Sequence, residues 1–311
     1  MRILISGANG MLGRSIVAQV AAQRPEDELI TLTRHDVDLR DRSDTRDFIE
    51  RARPDAVIHA AAKVGGIGAK LAEPTIFLLD NLLLDTSVLA AAIDLRVPDF
   101  LYIGSAAVYP AKYVRPFVEE DMLTGHLEEA NEGYAVSKIA AIKVCEYVTR
   151  QYSLNYKSAL PSNLYGLHDH FELSNAHLVA ATLAKMHEAK HAGLDVVSVW
   201  GDGTARREFT FATDVAVWLV EQIDKLDSWP STLNLGWGSD HSVAEYYEVA
   251  RDVVGFDGEL EFDTSRPSGV PQRLIDSSAA RSLGWSPTTS LREGMAATYA
   301  DYLANLSSAG R

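Results

Sequence analysis

Short apolar runs punctuate the first half of the chain: Arg2 to Ser6, Leu29 to Thr33, Asp55 to His59, Phe100 to Gly104 and Tyr156 to Leu160. Each is too short for a helix and nearly continuous in its apolar character, as strands buried on both faces of a sheet must be. Between them apolar residues recur at helical spacing over Met11 to Gln23, Ser43 to Arg53, Thr75 to Leu95 and Tyr134 to Tyr152. Strands and helices in alternation predict an α/β protein: a Rossmann-type, doubly wound parallel sheet with helices on both faces.

After Pro161 the regularity fades. Gly, Pro and aromatic residues gather in short segments such as Val199 to Gly203 and Arg266 to Pro271, which predicts a smaller C-terminal substrate-binding lobe. Residues 1–160 are expected to form the nucleotide-binding domain, with later segments returning to it, and residues 161–311 mainly the substrate lobe. A last helix near Ser290 to Asn305 is expected to pack back on the body of the protein.

Composition narrows the chemistry. A chain of 311 residues, 47 % hydrophobic, can bury one large core, or one core plus a smaller lobe. Its net charge of −14 repels phosphate-rich surfaces, so neither nucleic acid nor an anionic membrane is expected as a partner. An anionic ligand must find a local group of Arg or Lys. The single cysteine, Cys145, sits in an apolar helical pattern; it rules out an intramolecular disulfide, leaves no thiolate metal site and reads as inert core. The opening MRILISGANG enters a strand directly, without the features of a secretory signal, and no later apolar run looks long enough to span a bilayer. A soluble protein of the cytoplasm, without a metal, is expected.

The first strand runs straight into Gly7-Ala8-Asn9-Gly10-Met11-Leu12-Gly13, which opens the first helix. Glycines there permit a tight turn and let a pyrophosphate approach the backbone N–H groups at the positive end of the helix. The spacing G-x-x-G-x-x-G is the variant typical of short-chain dehydrogenases. The second strand ends Thr31-Leu32-Thr33-Arg34, with no carboxylate where an NAD enzyme holds its ribose hydroxyls. A guanidinium at Arg34 presents a planar fork of donors to a 2′-phosphate, so NADP is the expected cofactor. The other reading leaves Arg34 solvated and gives the ribose to Asp36 or Asp38; Asp38-Leu39 is otherwise expected to flank the adenine.

Tyr134-Ala135-Val136-Ser137-Lys138 places a phenol and an ammonium one helical turn apart on one face. A phenol titrates near about pH 10, so it needs a neighbouring positive charge to exchange protons near neutrality, and Lys138 and the oxidised nicotinamide are expected to supply it. Ser105 waits at the end of the fourth strand, in Gly104-Ser105-Ala106-Ala107-Val108-Tyr109-Pro110, where α/β sheets bind ligands. A Y-x-x-x-K pair by itself is common on helix surfaces; its position after the fourth strand gives it weight.

Several segments together resemble the GDP-L-fucose synthase family of extended short-chain dehydrogenases, over essentially the whole chain. They are AAAKVGGI (Ala60 to Ile67), YAVSKIAA (Tyr134 to Ala141), PSNLYG (Pro161 to Gly166), His168-Asp169, SNAH (Ser174 to His177), and Trp200-Gly201 followed by Arg207-Glu208-Phe209. The resemblance implies epimerisation of a GDP-4-keto-6-deoxy sugar at C3 and C5, then NADPH reduction at C4 by Ser105, Tyr134 and Lys138. It implies cofactor contacts from Ala60, Ala61, Ala62, Lys138, Pro161, Asn163 and Leu164. Substrate contacts are implied for Ser105, Ala107, Asn163, His177, Trp200, Arg207 and Arg273, the arginines meeting the pyrophosphate. A homodimer built on helices 75–95 and 134–152 is implied as well. The plainer reading of Arg207 and Arg273 is a pair of surface salt bridges, and that of His177 a packed or surface residue.

One position departs from the pattern. Where Ala107 stands, the family carries a cysteine that works with the histidine matching His177 to move protons at C3 and C5. A methyl group neither accepts nor donates a proton, so one base of the pair is missing. The expectation is a reductase at C4, with C3/C5 epimerisation lost, weakened or reassigned. Two other classes are compatible with parts of the pattern: an NAD-dependent sugar 4-epimerase, whose Ser105 to Tyr109 stretch would look similar, and a non-catalytic nucleotide sensor, which would have little reason to keep Tyr134 and Lys138. A 4,6-dehydratase is disfavoured because Ala106 and Ala107 replace its acidic pair.

Overall fold

The computed structural model describes residues 1–173, 176–266 and 270–309. In chain order, the first half holds β1 (Arg2–Ser6), α1 (Met11–Gln23), β2 (Glu28–Leu32), α2 (Arg42–Ala52), β3 (Ala56–His59), α3 (Ile67–Ala72), α4 (Pro74–Asp94), β4 (Asp99–Ile103), α5 (Glu132–Tyr152) and β5 (Asn155–Pro161). Then follow β6 (Asn163–Tyr165), α6 (Leu178–Ala192), β7 (Val196–Trp200), β8 (Arg206–Arg207), β9 (Phe209–Phe211), α7 (Ala212–Gln222) and β10 (Thr232–Leu235). The chain ends with β11 (His241–Ser242), α8 (Val243–Val254), β12 (Glu259–Asp263), β13 (Gln272–Arg273), α9 (Ser278–Ser282) and α10 (Leu291–Ala309).

Six strands form one parallel sheet in the order β10-β5-β4-β3-β1-β2. The chain starts at β1, steps out to β2, then crosses back to β3 on the other side of β1. That reversal opens a crevice at the carboxyl ends of β1 and β3, where the glycine turn lies. Alternate residues of the strands feed two cores. Leu4, Val57, Phe100 and Tyr156 face α2, α4 and α5, whereas Ile3, Ile5, Ile58 and Leu101 face α1 and α7, with Trp218, Trp229 and Trp285 filling the far side.

A third core builds the smaller lobe from Leu183 and Met186 of α6, Val197 and Val199 of β7, Tyr246 and Ala250 of α8, and Met295 of α10. The last helix thus packs back on the body of the protein, against α8 and α6. Asp214 of α7 ties down its approach, accepting from the backbone N–H of Thr288 and Thr289 at 2.9 and 2.8 Å. Residues 212–235 return to the sheet: α7 lies against α1, and β10 extends the sheet beyond β5.

The helix α4 corrects one expectation. With 21 residues and a mean hydropathy of 1.8 in its most apolar window, it is long and apolar enough to cross a membrane by length and composition. Half of that window is buried, because Val88, Leu89, Ala91 and Ala92 pack under the sheet between α2 and α5. It is a core helix of the sheet layer. Ile76, Leu79 and Leu83 form an exposed apolar row on its outer side.

Candidate active site

Gly7 takes φ +72°, a left-handed backbone that side chains rarely adopt, and a Cβ there would come within 2.6 Å of the Ala61 backbone. At Gly13 a Cβ would sit 2.0 Å from the Gly7 carbonyl oxygen. Gly10 starts α1 with no side-chain cap, and the first turn holds no acidic residue, so the orphan N–H groups there face no competing side chain. Asn9 lies at the tip of the turn, whereas Leu12 is buried in the core and Met11 packs beside it. Ala60 to Ala62 run past the turn, with the Ala60 N–H bonded to the Ser6 carbonyl at 3.1 Å. The cradle fits a dinucleotide pyrophosphate.

Past β2, Asp36 closes its own turn by accepting from Thr33 N and Oγ1 at 2.9 and 2.7 Å. Asp38 is taken by Arg40 at 2.8 Å, whose guanidinium holds the carboxyl down at about 2. Leu39 turns inward onto the core. Arg34 is exposed and has no hydrogen bond or ion pair to another described residue. The free fork and the two occupied carboxylates suit a 2′-phosphate better than a bare ribose, so these residues fit NADP.

The residues expected to be catalytic converge at the carboxyl end of β4. Ser105 caps a short 3-10 turn, Ala106–Val108, by accepting from the Ala107 N–H at 3.2 Å. Tyr134, in the first turn of α5, is buried, and its hydroxyl pairs with Ser105. One turn on, the buried Lys138 Nζ donates to the Ile103 carbonyl at 3.2 Å and lies 4.6 Å over the ring of Tyr102 and 5.8 Å over that of Tyr134.

Burial raises the Tyr134 phenol well above its ordinary range, the charge of Asp85 adds to this, and only the Ser105 hydrogen bond opposes them. Burial also pushes the Lys138 ammonium down, against the pull of Asp85. At Tyr134 desolvation outweighs the ammonium of Lys138, which lies 5.8 Å over the phenol ring and, at 3.8 Å, closer to Asp85.

The substrate side is cationic. Arg273 is only 8 % exposed, so it is no surface pair; its Nη1 donates to the Ala106 carbonyl at 3.1 Å and its Nη2 approaches Glu128 at 3.4 Å. Arg207 lies within reach of both of their charges, and burial pulls its guanidinium down. A small cavity runs between Ala106, Asn163, Glu208 and Arg273, with Asn163 Nδ2 donating to the Glu208 carbonyl at 3.2 Å. Pro161 and Leu164 flank it, the former in register with Leu235 of β10 and the latter partly packed in the core. Trp200, 60 % exposed at the end of β7, has Lys185 and Arg266 over its ring at 5.5 and 5.2 Å. Ala107 presents only its methyl group. His177 stands at the N-terminus of α6 and is pushed down to about 4 by burial, then by the charges of Lys70 and His170. It is neutral near pH 7 and can accept a proton. Ser174 and Asn175 of the SNAH segment, and residues 267–269, lie outside the described residues.

Sequence reasoning missed several members. Lys70 Nζ lies 4.7 Å over the Tyr134 ring and donates to Asn131 Oδ1 at 2.8 Å; burial lowers it to about 8 while Glu128 opposes. Asn81 pins the AAAKVGGI segment by accepting from the Lys63 N–H at 2.9 Å and donating to its carbonyl at 3.1 Å. Asp85, 1 % exposed, sits beneath Lys138. Polar Asn81 and Asp85 interrupting an otherwise apolar helix was the signal available. Cys145 is inert core as expected, its thiol pushed up to about 12 by burial.

Residues 3–236 match the NAD dependent epimerase/dehydratase family. A GDP-L-fucose synthase of Azorhizobium caulinodans is 40 % identical over 97 % of this chain and 96 % of its own. A GDP-L-colitose synthase of Yersinia pseudotuberculosis is 37 % identical over 96 % of each. Among solved structures, the GDP-mannoheptose C4 reductase of Campylobacter jejuni with NADP bound superposes with a TM-score of 0.87, at 27 % identity, over 97 % of this chain and 98 % of that one. A shared sheet, a shared turn and near-complete coverage leave one conclusion: the chain belongs to the NAD dependent epimerase/dehydratase family, in the branch of the GDP-L-fucose synthases.

Proposed function

We propose that this protein is an NADP-dependent reductase that converts a GDP-linked 4-keto-6-deoxy sugar to its C4 alcohol. The observation that carries the reading is the buried, proton-retaining Tyr134 paired with Ser105 and backed by Lys138, beside a turn that fits NADP. When bound, NADPH supplies the hydride that adds to the C4 carbon. Tyr134 gives its proton to the C4 oxygen, Ser105 holds that oxygen against the phenol, and the phenolate is reprotonated from solvent. Lys138 holds positive charge beside the phenolate as it forms, where a low-dielectric site makes that charge count.

Arg207 and Arg273 take the pyrophosphate, Trp200 offers an exposed aromatic shelf to the nucleotide, and Asn163 lines the cavity between them and the catalytic turn. Ala107 itself carries no proton, so C3/C5 exchange is not expected to keep pace with reduction. We place the protein in the cytoplasm as a homodimer, its contact formed by Ile76, Leu79 and Leu83 of α4 with Val136 and Tyr147 of α5, all exposed in the single chain.

The test is NADPH oxidation with GDP-4-keto-6-deoxy-mannose and related GDP-keto-sugars in deuterated water, with products identified by NMR. One NADPH per C4 alcohol is expected, and Tyr134→Phe is expected to abolish turnover while retaining NADPH binding. Stoichiometric NAD on the purified protein with no net NADPH consumption would instead identify a 4-epimerase. Prompt deuterium at C3 and C5 would refute the loss of epimerisation.

A further inference from the structure

Strand register sets four polar residues in one row at the carboxyl ends of the sheet: Ser6 of β1 pairs with His59 of β3, His59 with Tyr102 of β4, and Tyr102 with Ser158 of β5. All four are fully buried on the face that α4 and α5 cover, where apolar residues would fill the space at less cost. Three of them join a chain that ends at the catalytic lysine. Ser6 Oγ bonds His59 Nδ1 at 2.5 Å, His59 Nε2 meets Asp85 Oδ1 at 2.9 Å, and Tyr102 donates to Asp85 Oδ2 at 2.6 Å. The same Oδ2 lies 3.8 Å from Lys138 Nζ.

We propose that Asp85 is the positioning residue of the catalytic lysine: its carboxylate, clamped between His59 and Tyr102, keeps Lys138 charged and drawn to one spot beneath Tyr134. An ionised Asp85 accepts only, which requires the His59 proton on Nε2 and leaves Nδ1 to accept from Ser6. Ser6 immediately precedes Gly7, so the clamp fastens the lysine to the strand end that carries the cofactor turn. A buried ammonium needs such a partner, because desolvation otherwise strips its proton. The groups facing Lys138 bear this out. From β4 it meets Tyr102 and the Ile103 carbonyl, from α4 Asp85, and from its own helix Tyr134; Cys145 of α5 lies nearby with a raised thiol. Among the described residues Asp85 is the one anion within 4 Å of the ammonium.

The inference rests on the proposed function for its kinetic readout but not for its direct one. Asp85→Asn keeps the shape and removes the charge. It is expected to lower kcat at least tenfold, to leave KM for NADPH within about threefold, and to move the alkaline limb of the kcat profile down by a pH unit or more. An alkaline limb that stays in place, whatever kcat does, would make Asp85 merely structural and overturn the proposal. If Asp85→Asn does not fold, Tyr102→Phe removes one arm of the clamp at little cost in volume and is expected to move the limb the same way by a smaller amount; an unmoved limb there would count equally against it. Should the wild type reduce none of the GDP-keto-sugars, the functional reading fails, while titration of Lys138 Nζ by NMR on lysine-labelled protein still decides the clamp: a midpoint lowered in the variant supports it, an unchanged one overturns it.

Discussion

Replacing Gly13 by Ala tests the cofactor turn with one methyl group. Gly13 is helical, so alanine suits its backbone, and the change would ordinarily stabilise a helix by roughly 0.5–1 kcal/mol. Here the new Cβ falls 2.0 Å from the Gly7 carbonyl oxygen and 2.8 Å from its carbon, where ordinary contact begins at 3.4 Å. Backbone, not a flexible side chain, must therefore retreat by about 1.4 Å, the difference between 3.4 and 2.0 Å. The retreat breaks the Gly10 N–H bond to that same oxygen, 2.9 Å long, and swings the start of α1 off the cradle. Losing one or two hydrogen bonds from N–H groups to a charged pyrophosphate, at about 1.5–3 kcal/mol each, lowers affinity some ten- to ten-thousandfold. Titration calorimetry with NADPH measures it, and Gly68→Ala, where a Cβ meets nothing within 4 Å, is the control. NADPH affinity within twofold of wild type for Gly13→Ala would show that the glycine turn does not hold the cofactor.

Three further outcomes follow from the same structure. Arg34→Ala is expected to weaken NADPH binding about ten- to hundredfold, the worth of its charge-assisted bonds, and to leave NADH binding as it was, as parallel titrations will show. Burial pushes His177 from the ordinary 6.5 of an imidazole down to about 4 in the folded chain, so between those values the unfolded chain binds the extra proton and folding weakens as pH falls. Relative to His177→Gln, the wild type should lose about twentyfold in its folding constant between pH 7 and 5, with little change above pH 7, by denaturant titration at each pH. Leu79→Glu puts a charge into the exposed α4 row and is expected to give a monomer by light scattering where the wild type gives a dimer; a monomeric wild type would remove the proposed contact.

The sheet was legible because its strands bury both faces and so read as unbroken apolar runs; all five expected strands form, with ends shifted by a residue or so. Beyond Pro161 the signal fails for a physical reason. Strands such as Arg206–Arg207 and Gln272–Arg273 are two residues long, and their pairing partners are distant in sequence, so no local pattern marks them. The last helix carries apolar residues that fit either core; packing, not periodicity, sent it to α6 and α8.

The sequence by itself determined the fold class, the glycine turn, the Ser105, Tyr134 and Lys138 positions, and the departure at Ala107, because each lies in a local spacing tied to one element. Tertiary structure alone decided the electrostatics. It put Lys70 against the face of Tyr134, gathered Arg207 and Arg273 around Glu128, and seated Asp85 under Lys138 through the register of three strands and a helix. A pKa depends on what surrounds a group within a few ångströms, and those neighbours come from segments tens of residues apart. Thus the sequence named the proposed proton donor, and the fold determined how tightly it holds its proton.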